Sequence, residues 1–89
     1  MNTIRVLIAD DQAIARQGLQ VILNSEDDIE VVGQARDGQE ALELTEKLNP
    51  DLIVMDLKMP RLNGVQATKA IKEKFPSVAI LVLTTYDLD

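Results

Sequence analysis

The chain has neither cysteine nor histidine among its 89 residues. The first absence excludes a disulfide scaffold, thiolate chemistry and sulfur-ligated zinc. The second removes the commonest acid–base group and metal ligand. Any metal held here is therefore held by oxygen, which favours Mg²⁺, Mn²⁺ or Ca²⁺. Tryptophan is absent, and Phe75 and Tyr86 are the only aromatics, so the core must be aliphatic. Positive charge is scarce too. Nine Lys and Arg stand against fifteen Asp and Glu, a net charge of −6. No basic stripe exists, which argues against a nucleic-acid surface. Lys69, Lys72 and Lys74 are expected on a solvated helix face. No apolar run approaches membrane-spanning length, and the amino terminus reaches Arg5 and Asp10 without the apolar core of a signal peptide. A cytoplasmic protein with no membrane partner is the expectation. The length allows one small domain, and 46% hydrophobic content is enough for a buried core.

What is present alternates strand and helix. Ile4 to Ala9 is an apolar run interrupted only by Arg5, as expected of a strand buried on both faces. Asp11 or Gln12 opens a helix to about Asn24, with Ala15, Leu19 and Ile22 at helical spacing. The acidic trio Glu26-Asp27-Asp28 reads as a solvated turn. Ile29 to Ala35 is a second strand with Val31 and Val32 as its core. Asp37-Gly38 starts a second helix, whose face is Ala41, Leu42, Thr45 and Leu48. Asn49-Pro50 ends it, because proline disfavours helical geometry in the residue before it. Asp51 to Met55 is a third strand, and 58–64 is a loop. Val65, Thr68, Ile71 and Phe75 are spaced for a third helix, stopped by Pro76. Ala79 to Thr84 is a fourth strand. The order βαβαβαβ predicts an α/β fold, a parallel sheet with helices on both faces and right-handed crossovers. In such doubly wound sheets ligands bind beyond the carboxyl ends of the strands, where strand order reverses.

Three aspartates fall at that edge. Asp10 and Asp11 follow the first strand and Asp56 follows the third. Like charges so close repel unless a cation lies between them. Mg²⁺ prefers octahedral oxygen ligands and keeps several waters, so one or two carboxylates and a backbone carbonyl suffice to hold it. Asp11 and Asp56 are the expected side-chain ligands, with Asp10 acting through water. A carboxylate at such a site can also attack a phosphoryl group. Thr84, at the end of the neighbouring strand, could bind a phosphoryl oxygen. An isolated Asp after an apolar run is ordinarily a loop start or helix N-cap. The Asp pair, the third Asp and the Thr together form a more specific pattern.

At these residues the chain resembles the receiver domain of two-component response regulators. The matching stretches are Val6 through Asp11, Asp37-Gly38-Gln39-Glu40-Ala41-Leu42, Pro50 through Pro60, Asn63-Gly64, and Leu81-Val82-Leu83-Thr84-Thr85. The wording of Val31 to Ala35 and of Leu83 to Asp87 is most similar to the subgroup with a LuxR-type helix-turn-helix output domain. The resemblance implies a flavodoxin-like doubly wound sheet. It also implies that Asp56 accepts a phosphoryl group from a histidine kinase or a small phosphodonor. Asp11, Asp56 and the Lys58 backbone carbonyl would then ligate Mg²⁺, Asp10 would assist, and Thr84 would hydrogen-bond the phosphoryl group. DNA would be reached only through an output domain outside these residues.

The family pattern also has a fifth α/β unit, whose strand begins with a lysine facing the acceptor. No residue here matches that lysine. Lys58 lies beside the acceptor, and Tyr86 does not replace the aromatic switch residue of the fifth strand. Residues 1–89 are therefore read as a receiver incomplete at its carboxyl end. Strand four is expected to be an open edge, with self-association through it to a homo-oligomer. Two other readings use the same residues. An aspartate-nucleophile phosphatase places a second aspartate two residues after the nucleophile, where this chain has Lys58, so enzymatic turnover is not expected. A non-phosphorylated interaction fragment would fit loss of the lysine but not retention of every acidic residue.

Overall fold

A computed structural model describes residues 3–83. The elements are β1 (Ile4–Ala9), α1 (Ala13–Asn24), β2 (Ile29–Ala35), α2 (Gly38–Leu48), β3 (Leu52–Asp56), α3 (Gly64–Lys74) and β4 (Ala79–Leu83). The four strands are parallel, in the order β2-β1-β3-β4. The chain moves from β1 to β2 on one side and then crosses to β3 on the other. Strand order thus reverses between β1 and β3, and the connections leaving those two strands flank the crevice. The expected βαβαβαβ order, parallel sheet and flavodoxin-like arrangement are all present.

Alternation along the strands divides the core between two faces. Leu7 and Ala9 of β1 join Ile53 and Met55 of β3 in a cluster completed by Ala41 of α2 and Ala67 and Ile71 of α3. Val6, Ile8 and Val54 face the other way and are packed by Leu19 and Leu23 of α1. Asp56 lies two residues beyond Val54, so it shares the α1 side.

Helix boundaries follow local chemistry. Asp37 caps α2 by accepting from the Glu40 amide at 2.8 Å. Asn63 and Gln66 form a reciprocal capping box at the start of α3. Asn49 ends α2 in the left-handed conformation (φ 50°), which an Asn tolerates better than most residues, and Pro50 prevents continuation.

Two helical phases differ from the sequence expectation. Ile22 is 65% exposed, and Leu23 packs against the sheet in its place. Val65 is likewise exposed, while Gly64, Ala67 and Ile71 form the buried stripe of α3. In both helices neighbouring apolar residues offered two stripes, and the packing surface selected the other one. Val31 and Val32 are only half-buried because β2 is an edge strand. Val32 is also skipped in the pairing with β1, where the register shifts between Val6 and Leu7. Lys72 does more than face solvent: its Nζ donates to the carbonyls of Pro76 and Val78, each at 2.8 Å, and ties the end of α3 to the approach of β4.

The amino-terminal ends of the strands are knitted around Asp51. Its amide donates to the Arg5 carbonyl at 2.8 Å, and the Arg5 amide donates to Asp51 Oδ2 at 2.9 Å. The Ala79 amide donates to the Asp51 carbonyl at 3.0 Å. Arg5 Nη1 reaches the Asn49 carbonyl at 2.9 Å.

Candidate functional site

The carboxyl ends of β1 and β3 bring Asp10, Asp11 and Asp56 together. One carboxylate oxygen from each lies within 4.8 Å of the others. Asp10 and Asp56 are buried, whereas Asp11 is exposed. Asp10 Oδ1 accepts from the Gln12 amide at 2.9 Å, which orients it across the turn into α1. Asp56 Oδ1 accepts from the Lys58 amide at 3.2 Å. Burial raises the Asp10 pKa above the ordinary carboxylate range, and the charges of Asp56 and Asp11 push in the same direction; the Gln12 amide and Arg16 oppose them.

This donor set fits a hard divalent cation. With ligands at 2.0–2.1 Å, neighbouring oxygens of an octahedral Mg²⁺ stand about 2.9 Å apart and opposite ones about 4 Å; one oxygen from each aspartate lies within 4.8 Å of the others, so the three converge on one ion, directly or through bound water. A cation among them would also offset the mutual repulsion that raises the Asp10 pKa. Lys58 is exposed and follows Asp56 by two residues, which puts its backbone carbonyl in the loop beside the cluster. Thr84, Thr85 and Tyr86 lie outside the described residues.

Two features frame the site, of which Arg16 carried no sequence signal, whereas Gly64 stood before the third helix where a side chain was expected to clash. Arg16 reaches back from α1, with Nη1 donating to the Asp10 carbonyl at 2.8 Å and Nε donating to Gln34 Oε1 at 3.2 Å. It fixes the turn that carries Asp10 and Asp11 against β2. The other feature is the base of the β3–α3 loop. The Gly64 amide donates to the Leu57 carbonyl at 3.1 Å. A Cβ on Gly64 would stand 2.3 Å from the Asp56 carbonyl oxygen, so only glycine lets α3 start this close to the acidic residue.

The profile of the response regulator receiver domain matches residues 6–89. The chain belongs to this receiver-domain family. It is 45% identical over 86 residues to the transcriptional regulatory protein DegU of Brevibacillus brevis, covering 97% of this chain and 36% of that protein. It is 49% identical over 82 residues to a protein-glutamate methylesterase/protein-glutamine glutaminase of Methanococcus maripaludis, covering 92% of this chain and 22% of that protein. Among solved structures, a LuxR-family two-component response regulator from Aurantimonas superposes with a TM-score of 0.90 at 32% identity, covering 97% of this chain and 61% of the other. The chain thus spans little more than a third of the regulator and under a quarter of the methylesterase.

Receiver domains bind Mg²⁺ at an acidic pocket and interact with histidine kinases; this chain has a cluster of three aspartates at the carboxyl edge of its sheet. No described helix is long and apolar enough to cross a membrane.

Proposed function

We propose that this receiver domain is a phosphorylation switch with Asp56 as the phosphoryl acceptor, fed by a histidine kinase or a small phosphodonor in the cytoplasm. The observation that carries this reading is the convergence of three carboxylates on one point at the β1/β3 reversal, two of them buried. Asp11, Asp56 and the Lys58 carbonyl would hold Mg²⁺, with Asp10 assisting. The metal would draw charge from the phosphoryl oxygens as they approach the acidic pocket. An Asp56 carboxylate oxygen forms the new O–P bond while the donor's P–N or P–O bond breaks and the leaving group keeps the electron pair. The Lys58 amide holds Oδ1, and no donor among the described residues reaches Oδ2. Thr84 is the proposed hydroxyl donor to the attached group. The added charge and acceptor oxygens would then attract donors from neighbouring loops.

The module is a switch, not a catalyst, and any DNA contact would come from an output domain outside these residues; similarity to DegU and the LuxR-family structure supports that output class. Incubation with acetyl phosphate and Mg²⁺, read by intact mass, tests the acceptor. One phosphoryl adduct is expected, lost in Asp56→Asn; an adduct that persists in that variant overturns the assignment.

A homo-oligomer through β4 is also proposed. β4 is an edge of the described sheet, carries no charge, and leaves Leu81 and Val82 52% and 41% exposed. Such an edge pairs readily with another chain. Sedimentation should show association that Val82→Lys abolishes. A monomer at all concentrations up to about 100 μM, the range in which exposed edges associate, counts against it.

A further inference from the structure

Asp37 and Arg61 lie 24 residues apart in sequence and meet in the fold. Asp37 is 3% exposed and ends the β2–α2 connection. Its two carboxylate oxygens do different work. Oδ1 accepts from the Glu40 amide and starts α2. Oδ2 accepts from Arg61 Nη2, which belongs to the loop leaving the acceptor strand. Arg61 adopts a positive φ of 64°, a conformation that a residue other than glycine holds only where its surroundings impose it. Beside the ion pair the backbones touch. A Cβ on Gly38 would stand 1.8 Å from the Leu62 carbonyl oxygen, so the loop rests directly on the first turn of α2. Met59, between Lys58 and Arg61, is buried in the main core.

The loop is thus fixed at two places: its base is closed by Gly64 against Asp56 and Leu57, and its later part is held by Arg61 and Leu62 against Asp37 and Gly38. Lys58, whose amide orients the Asp56 carboxylate, lies in the span between.

We infer that Arg61 and Asp37 form a clamp that positions the Lys58 segment for the metal and for Asp56, making both of them positioning residues of the acidic site. Neither touches the reacting atoms. This rests on the proposed Mg²⁺ site, and the clamp acts only through the loop it holds. Asp37 is ionised well below neutral pH, because the Glu40 amide and Arg61 both stabilise its anion, so the clamp is closed at physiological pH.

Two measurements on the protein test the inference separately from the site itself. The first needs no metal: amide hydrogen exchange at Lys58 and Gly64, both hydrogen-bonded in the loop. Arg61→Ala should speed exchange at both amides, and Arg61→Lys, which keeps the charge but not the planar fork, should restore part of the protection. Asp37→Asn should act like Arg61→Ala while keeping α2, since Asn also caps helices. The second is Mg²⁺ titration of the same variants. Loss of either partner should weaken affinity by about 10-fold, the lower end for residues supporting a metal ligand. The double variant Asp37→Asn/Arg61→Ala should be no weaker than either single variant, as expected of one coupled unit. Parental exchange rates in both single variants overturn the clamp. Faster exchange with unchanged Mg²⁺ affinity overturns its role at the site. Absence of Mg²⁺ binding by the parent overturns the metal reading, and with it this role, whatever the exchange shows.

Discussion

Among the described residues, the sheet face under α2 and α3 buries ten residues in one cluster, while the face under α1 buries three. The helices differ in the same sense. α2 and α3 have side-chain N-caps and buried stripes. α1 has neither: its N-cap Gln12 makes no side-chain bond, none of its residues is buried, and Ile14 and Val21 are 85% and 72% exposed. The acidic residues Asp10 and Asp56 fall on the side of the shallow face. Stability is therefore concentrated on one side of the sheet, and the charged, adaptable surface lies at the rim of the other. The proposed metal and phosphoryl group would gain from this separation, because rearrangement near α1 disturbs few core contacts.

Substitutions can sharpen or break this contrast. The largest effect is expected at Ile71, fully buried in the deep cluster. Ile71→Ala should lower unfolding stability by about 2–5 kcal/mol, as for other core truncations to alanine, read as a shift in the urea midpoint. Asp37→Ala comes next, with a loss of about 1–2 kcal/mol at neutral pH from the missing cap. Its pH dependence is the sharper test. Asp37 has a lowered pKa in the fold, so its contribution is complete above its unfolded value near pH 4 and disappears as pH falls through the lower folded value. The gap between parent and Asp37→Ala should therefore narrow below about pH 4 in equilibrium unfolding. Leu23→Ala, on the shallow face, should cost about 1 kcal/mol, reflecting partial burial. Val21→Lys should fall within about 0.5 kcal/mol of the parent. A Val21→Lys loss as large as that of Ile71→Ala would show that the α1 face is covered in solution, and the contrast between the faces would disappear.

The βαβαβαβ order of elements, the parallel sheet and the acidic cluster were legible because they depend on features a sequence displays locally, whereas the flavodoxin-like strand arrangement was implied by the family resemblance. Continuous apolar runs mark strands buried on both faces, and an Asp just past such a run must lie at the carboxyl edge. The phases of α1 and α3 were not. Ile22 and Leu23, or Gly64 and Val65, are adjacent residues either of which completes an apolar stripe, and the choice depends on the surface beneath them. The Asp37–Arg61 pair was equally hidden. Asp37-Gly38 announces a helix start, and nothing in the loop after Asp56 says which residue returns to it. Arg16 was silent for a similar reason: a cation in the first turns of a helix is ordinarily solvated, and here its main acceptor is a backbone carbonyl.

The bonds around Asp51 have a mechanical consequence. They join β1, β3 and β4 at their entry ends, opposite the acidic rim, much as a spine joins the pages of a book. Because the strands cannot slide past one another at that end, a new charge at the free margin must be answered by the connecting loops and helix starts. The sheet would serve as a fixed frame, with the incoming signal spreading sideways along the open margin.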